Sequence, residues 1–220
     1  MAAGESPQGD ATLFIQATAD TVDPRINHAL KHLGLAATVV FIASAVGFGA
    51  ALKGYSHVLH PVDLLGGIGL PHGLAFNLLG LVLPGVLAGV VAMDLRRRLP
   101  HTAPWTVKIG AQLLFLSALG FIALGLLPLD IEDLNNHASR LHATAWMLWW
   151  VAFVAGAGLL AWGLRGQPQW TLLAAISRVA ALGVLVMVLF GVSFLPGGIA
   201  QRLAYGLWLL WLCVAARAAR

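Results

Sequence analysis

His57, His60, Asp63 and His72 fall in one polar stretch of the sequence, and Asp130, Glu132, Asp133, His137, Arg140 and His142 in a second. These are the residue types from which metal-assisted hydrolysis or anion recognition is built. Three histidines with a carboxylate can hold zinc, or another divalent ion, and leave a position open for water. His60, His72 and His137 are the candidate ligands, with Asp63 or Asp130 as a further ligand or a base. Arg140, and Arg202 beyond it, carry the charge to clamp a lipid phosphate or a carboxylate. The spacing matches no tight zinc motif, and His137 and His142, five positions apart, would sit about 140° apart on a regular helix. Asp133 and His137 are four apart, a step at which a carboxylate can orient an imidazole and raise its basicity. The bland alternative is a capped, solvated helix end.

What must position these groups is a set of membrane helices. The 220 residues are 59% hydrophobic and 10% charged, with a mean hydropathy of +0.84, a composition that belongs to membrane proteins and leaves no room for a second domain. Apolar segments run roughly over 33–53, 73–95, 108–128, 143–164, 171–194 and 200–219, each of a length that spans lipid as a helix. The expected fold is therefore an all-α integral membrane protein, a six-helix transmembrane bundle over 33–220. Membrane lipids are its surroundings and its expected partners. The pI near 9.8 reflects basic residues at the ends of apolar segments, where they set orientation, so nucleic acid is not an expected partner. Cys213 is the single cysteine and lies in the last segment, so an intramolecular disulfide is ruled out. Residues 1–32 are polar and lack the basic, then apolar pattern of a secretory signal. They read as a retained cytoplasmic segment, either a disordered tail or one with a short interfacial helix over 23–32 and with Phe14 and Ile15 at the membrane surface.

An even number of spans puts both termini on one side, and that side collects Arg25, Lys31, Arg96, Arg97, Arg98, Lys108, Arg165, Arg217 and Arg220. Only Lys53, Arg140 and Arg202 remain on the other, so the charge bias places both termini in the cytoplasm, for a multi-pass protein of the cell inner (plasma) membrane. Pro61, Pro128 and Pro196 follow the odd-numbered segments at an interval of about 67 residues, suggesting three helical hairpins in series. Gly85 and Gly89, beside Pro84, predict close packing and a kink in the second helix.

Polar side chains inside the spans should face other helices, because unpaired amides are costly in lipid. Asn77, Gln112 and Ser117 are the cases, and Asn77 is close enough to the polar loops to join a pocket. Arg178 can either snorkel or pair with Asp94. Helix four is expected to begin early, near Asp133, with His137, Arg140 and Thr144 along one face. Arg202 can pair with Asp130 or Glu132, or act with Arg140 on an anion.

The run His60-Pro61-Val62-Asp63-Leu64-Leu65-Gly66, then Phe76-Asn77 before a glycine-rich helix, then Gly125-Leu126-Leu127-Pro128-Leu129-Asp130 before His137, resembles the prokaryotic six-span membrane family known as DUF998, a domain of unknown function. The resemblance covers nearly the whole chain and implies fold and location rather than an activity. It also implies that Asp63, Asn77, Asp130 and His137 belong together. With Arg140 and Arg202 they form the expected ligand site, an outward-facing polar pocket for a lipid headgroup or small polar ligand. The alternative is a metal-dependent lipid hydrolase at the outer interface, and a transporter ranks below both for want of charges through the spans.

Overall fold

A computed structural model describes residues 24–218 of the chain. Among these residues every regular element is helical, as lipid requires of a chain that must satisfy its backbone within each segment. Six helices are long and apolar enough to cross a membrane, and the chain is a multi-pass membrane protein. We number the spans α1 (Pro24–Ala51), α2 (Gly73–Arg98), α3 (Trp105–Leu126), α4 (His137–Gly163), α5 (Thr171–Phe190) and α6 (Gly197–Ala215). The six expected segments are all present. The stretch expected as a separate interfacial helix is the first part of α1, because Pro24 at its start fixes a helical φ and the residues after it run into the span unbroken. The expectations for Phe14 and Ile15 lie outside the described residues.

Each helix packs on its neighbours in sequence, and α6 closes back on α1. The hairpins are thus continuous segments of one ring rather than separate units, although Pro61, Pro128 and Pro196 do share one end of it, the arginine-poor end. Small residues let the backbones meet. A Cβ on Gly110 would stand 2.8 Å from the Gly156 carbonyl oxygen and one on Gly120 2.7 Å from the Trp149 nitrogen, so α3 and α4 touch main chain to main chain. Gly85 likewise abuts Ile122 of α3, at 2.7 Å from its Cγ1. The irregularity in α2 is a π-helical stretch, Asn77–Val82, ending just before Leu83 and Pro84. Such a bulge lets the helix pass a proline that offers no N–H.

Aromatic rings fill the centre. Tyr205 of α6 lies among Phe41, Phe121, Trp146 and Trp149, while Phe121 stacks on Trp208 with centroids 4.2 Å apart. At the arginine-rich end Arg98 donates to Asp94 at 3.1 Å, to the Ala215 carbonyl at 2.9 Å and to that of Ala218. A guanidinium at the negative end of α6 stabilises those terminal carbonyls. Arg98 rather than Arg178 therefore engages Asp94, and Arg178 is exposed on α5. Ser117 meets the expectation for an intramembrane hydroxyl by donating to the Trp149 carbonyl at 2.8 Å. Gln112 does not, and lies exposed.

Candidate functional site

Loop 1, between α1 and α2, folds over the arginine-poor end of the ring. Its Pro61 precedes a short 3-10 turn, Val62–Gly66, which drives Asp63 inward until it is 6% exposed. One carboxylate oxygen of Asp63 accepts from the Tyr205 hydroxyl at 2.8 Å, the other from the Gln201 amide at 2.6 Å. His142 of α4, also 6% exposed, places Nε2 3.7 Å from the second oxygen. Its Nδ1 is 2.7 Å from the Leu127 carbonyl. A carbonyl only accepts, so Nδ1 carries a hydrogen and Nε2 is the atom turned toward Asp63.

A second set of bonds ties the same loop from its outer side. Arg202 donates through one terminal nitrogen to the carbonyls of His60 and Gly198, both at 2.9 Å. Its other terminal nitrogen donates to the Tyr55 hydroxyl at 2.6 Å and lies 3.1 Å from Nδ1 of His57. Tyr55 donates its own proton to the Pro61 carbonyl at 3.1 Å. Burial pushes the Tyr55 phenol above its usual value, against the lowering effect of the neighbouring Arg202. Because a guanidinium only donates, His57 accepts at Nδ1 and its neutral ring carries hydrogen at Nε2. His60 follows the same logic, since its Nδ1 accepts from the Ser56 N–H at 3.0 Å.

Below this roof, α1 and α6, whose backbones meet at Gly34 and Leu212, leave a groove of about 390 Å³ between them. Phe41, Ala45, Val62 and Leu209 wall it, His57 and Arg202 head it, and Cys213 lies toward its other end. From Arg202 to Cys213 the groove follows α6 for about 16 Å at the rise of a helix. That is about the depth of one leaflet of a bilayer.

A family profile described as protein of unknown function (DUF998) matches residues 35–218. The chain belongs to the DUF998 family. No curated protein and no solved structure matches it.

Within this DUF998 protein the residues expected to form one pocket separate into three groups. Asp63 and Arg202 are brought to opposite sides of loop 1, one buried beneath it and one at the head of the groove. Asn77, 4% exposed, donates to the Gly66 carbonyl at 2.9 Å and so pins the 3-10 turn to α2. It fastens loop 1 to α2 at the edge of the Asp63 cluster, and its partner is the loop rather than another span. Asp130, in the loop between α3 and α4, accepts from the backbone N–H of Glu132 and Asp133 and from the Asn136 amide. It organises that loop. His137 and Arg140 are exposed at the start of α4, at the arginine-poor end. The helix begins at His137 rather than near Asp133, and its cap is Asn136, whose side chain accepts from the Ser139 N–H at 2.9 Å. Asp133 instead accepts from Asn135 N–H in the loop, so the expected four-residue step to His137 is not made on a helix. Among the described residues Arg202 has no carboxylate within 4.0 Å, neither Asp130 nor Glu132.

His60, His72 and His137 are not gathered into a metal site. Among the described residues no three His, Cys, Asp or Glu side chains form a group that could hold an ion. The donor chemistry points the same way. A metal-bound imidazole donates from its other nitrogen, whereas His60 accepts there. His72 is exposed, with a left-handed backbone (φ 62°) at the start of α2.

Three features of the buried cluster did not stand out in the sequence as parts of a site: Gln201, Tyr205 and the buried role of His142. Gln201 and Tyr205 did carry a signal. They are four apart in an apolar segment, hence on one helix face, the pattern of polar groups that turn toward a partner in lipid.

Proposed function

We propose that this protein holds one lipid or lipid-like amphiphile with an anionic headgroup, its chain along the α1/α6 groove and its headgroup beside Arg202 and His57. The observation that carries this reading is the pairing of an apolar groove about one leaflet deep with a cation at its head that, among the described residues, has no carboxylate within 4.0 Å. Asp63, the nearest buried carboxylate in the loop, is turned to His142, Gln201 and Tyr205 instead. The terminal nitrogens of Arg202 already hold loop 1, so its contribution to binding is its charge, while His57 supplies an N–H donor at Nε2. By the charge bias of the spans, the leaflet concerned is the outer one of the plasma membrane, with both termini in the cytoplasm.

The test uses full-length protein released from nanodiscs of equal phosphatidylcholine and phosphatidylglycerol, with retained lipid counted by native mass spectrometry. One phosphatidylglycerol should be retained in preference to phosphatidylcholine, and Arg202→Gln should erase that preference. A side chain added at Gly206, which lines the groove and where a Cβ would meet nothing within 4 Å, should block occupancy without disturbing the fold. Gly206→Leu is therefore expected to lose the retained lipid, and Gly47→Leu, equally unhindered on the outer face of α1, to keep it. Retention that is the same in wild type, Arg202→Gln and Gly206→Leu would overturn the reading.

A further inference from the structure

We infer that Asp63 and His142 form a buried charge latch that positions loop 1 as the roof and head of the groove, acting on the bound amphiphile through the loop without touching it. The inference rests on the groove reading above for its effect on lipid, but the latch itself is read from geometry alone.

Asp63 has a donor on each oxygen, Tyr205 on one and Gln201 on the other, an arrangement that suits a carboxylate and not a carboxylic acid. The hydrogen on Nδ1 of His142 is fixed by Leu127, so the group facing Asp63 at 3.7 Å is either a protonated Nε2 or a lone pair. A lone pair against a carboxylate in a site this dry is unfavourable, and an imidazolium is attracted to it. The pair therefore joins loop 1, through Asp63, to α4, through His142, and to the end of α3, through the Leu127 carbonyl. Gln201 extends the tie to the groove. While its nitrogen donates to Asp63, its oxygen accepts from the Val62 N–H at 2.6 Å, and Val62 is itself a wall of the groove. On the loop's outer side Arg202 holds the His60 carbonyl and, through Tyr55, the Pro61 carbonyl. One short segment is thus fastened from below by the buried pair and from above by the guanidinium that heads the groove. Neither Asp63 nor His142 lines the cavity, so both are positioning residues.

Removing one charge leaves the other buried and unpaired, whereas removing both leaves neutral, hydrogen-bonding side chains. His142→Gln and Asp63→Asn should each speed amide exchange across residues 56–66 by about tenfold or more in hydrogen–deuterium exchange of the full-length protein, because the loop opens locally. Each should also weaken phosphatidylglycerol preference in the nanodisc measurement by about fivefold or more. The double variant should return both readouts to within about threefold of wild type. A residue that only fills space would instead give a double variant at least as damaged as the worse single. Should a charge variant fail to fold, Tyr205→Phe removes one donor from Asp63 while keeping the ring in its aromatic surroundings, and it should shift both readouts in the same direction by a smaller factor.

Unchanged loop exchange in the single variants overturns the latch even if the groove holds lipid. Faster exchange with unchanged lipid preference overturns the positioning role. Absence of any effect from Arg202→Gln and Gly206→Leu overturns the groove reading separately, and the exchange measurement then tests the latch alone.

Discussion

Two glycines of α6 should respond to the same substitution with opposite signs. At Gly198 a Cβ would lie 2.6 Å from the carbonyl oxygens of both His60 and Val58, whereas at Gly206 it would meet nothing within 4 Å. Ordinary contact begins near 3.4 Å, so in Gly198→Ala loop 1 must retreat by about 0.8 Å, and both obstructing atoms are main chain that cannot rotate away. A retreat along the bond would carry the Arg202 donor from 2.9 Å of the His60 carbonyl to about 3.7 Å, beyond hydrogen-bond reach. Overpacking costs about 1–3 kcal/mol, and the loss of a charge-assisted bond adds to it. Against this stands the gain in helix propensity, at most about 1 kcal/mol and smaller so near the helix start. The balance is a loss of about 2 kcal/mol for Gly198→Ala and, with no clash to offset it, a gain of up to about 1 kcal/mol for Gly206→Ala. Reversible unfolding in mixed micelles with increasing dodecyl sulfate, followed by circular dichroism, measures both. If Gly198→Ala proves as stable as wild type, loop 1 is not seated on α6 as described, and the account of the roof fails with it.

Asn77→Ala should cost about 1–3 kcal/mol in the same unfolding assay, since it leaves the Gly66 carbonyl buried without its donor; a loss below about 0.5 kcal/mol would show the 3-10 turn to be held by other contacts. Asp130→Ala is expected to lower stability by about 1 kcal/mol through its loop bonds and to leave phosphatidylglycerol retention unchanged, which separates loop organisation from binding. His137→Ala, at an exposed position, should stay within about 0.5 kcal/mol of wild type. Zinc should not raise the unfolding midpoint of the wild type, and a zinc-dependent rise that His137→Ala removes would reinstate that residue as a ligand.

The spans, their order and the segregation of arginine to one end were legible because each is a local property of the chain. An apolar run of this length has one way to satisfy its backbone in lipid. That α4 starts before its apolar run was readable for the same reason. Its start was expected near Asp133 and falls at His137, because Asp133 and Asn136 can both cap a helix and the choice fell to which one the Asp130 loop bonds hold in place. The exposed face carrying His137 and Arg140, and the opposite orientation of His142, also follow from helical period.

The composition of the site did not follow from the sequence. Grouping the histidines by their nearness in the chain predicts a metal centre at His60, His72 and His137, yet His60 accepts a backbone hydrogen bond and His72 and His137 stay exposed. Asp63 stood out in the sequence, but its two hydrogen-bond donors, Gln201 and Tyr205, are more than a hundred positions away. They reach it only because α6 closes the ring against α1 and beneath loop 1. The same closure opens the groove and sets Arg202 at its head. Sequence alone determined that this is a multi-pass membrane protein with six segments, among the described residues, long and apolar enough to cross a membrane and with its histidine- and carboxylate-rich loops at the arginine-poor end, because hydropathy and charge act through the solvent on each segment separately. Which polar groups meet there, and that among the described residues Arg202 heads an apolar groove with no carboxylate within 4.0 Å, was decided by the packing of distant helices, which no local pattern encodes.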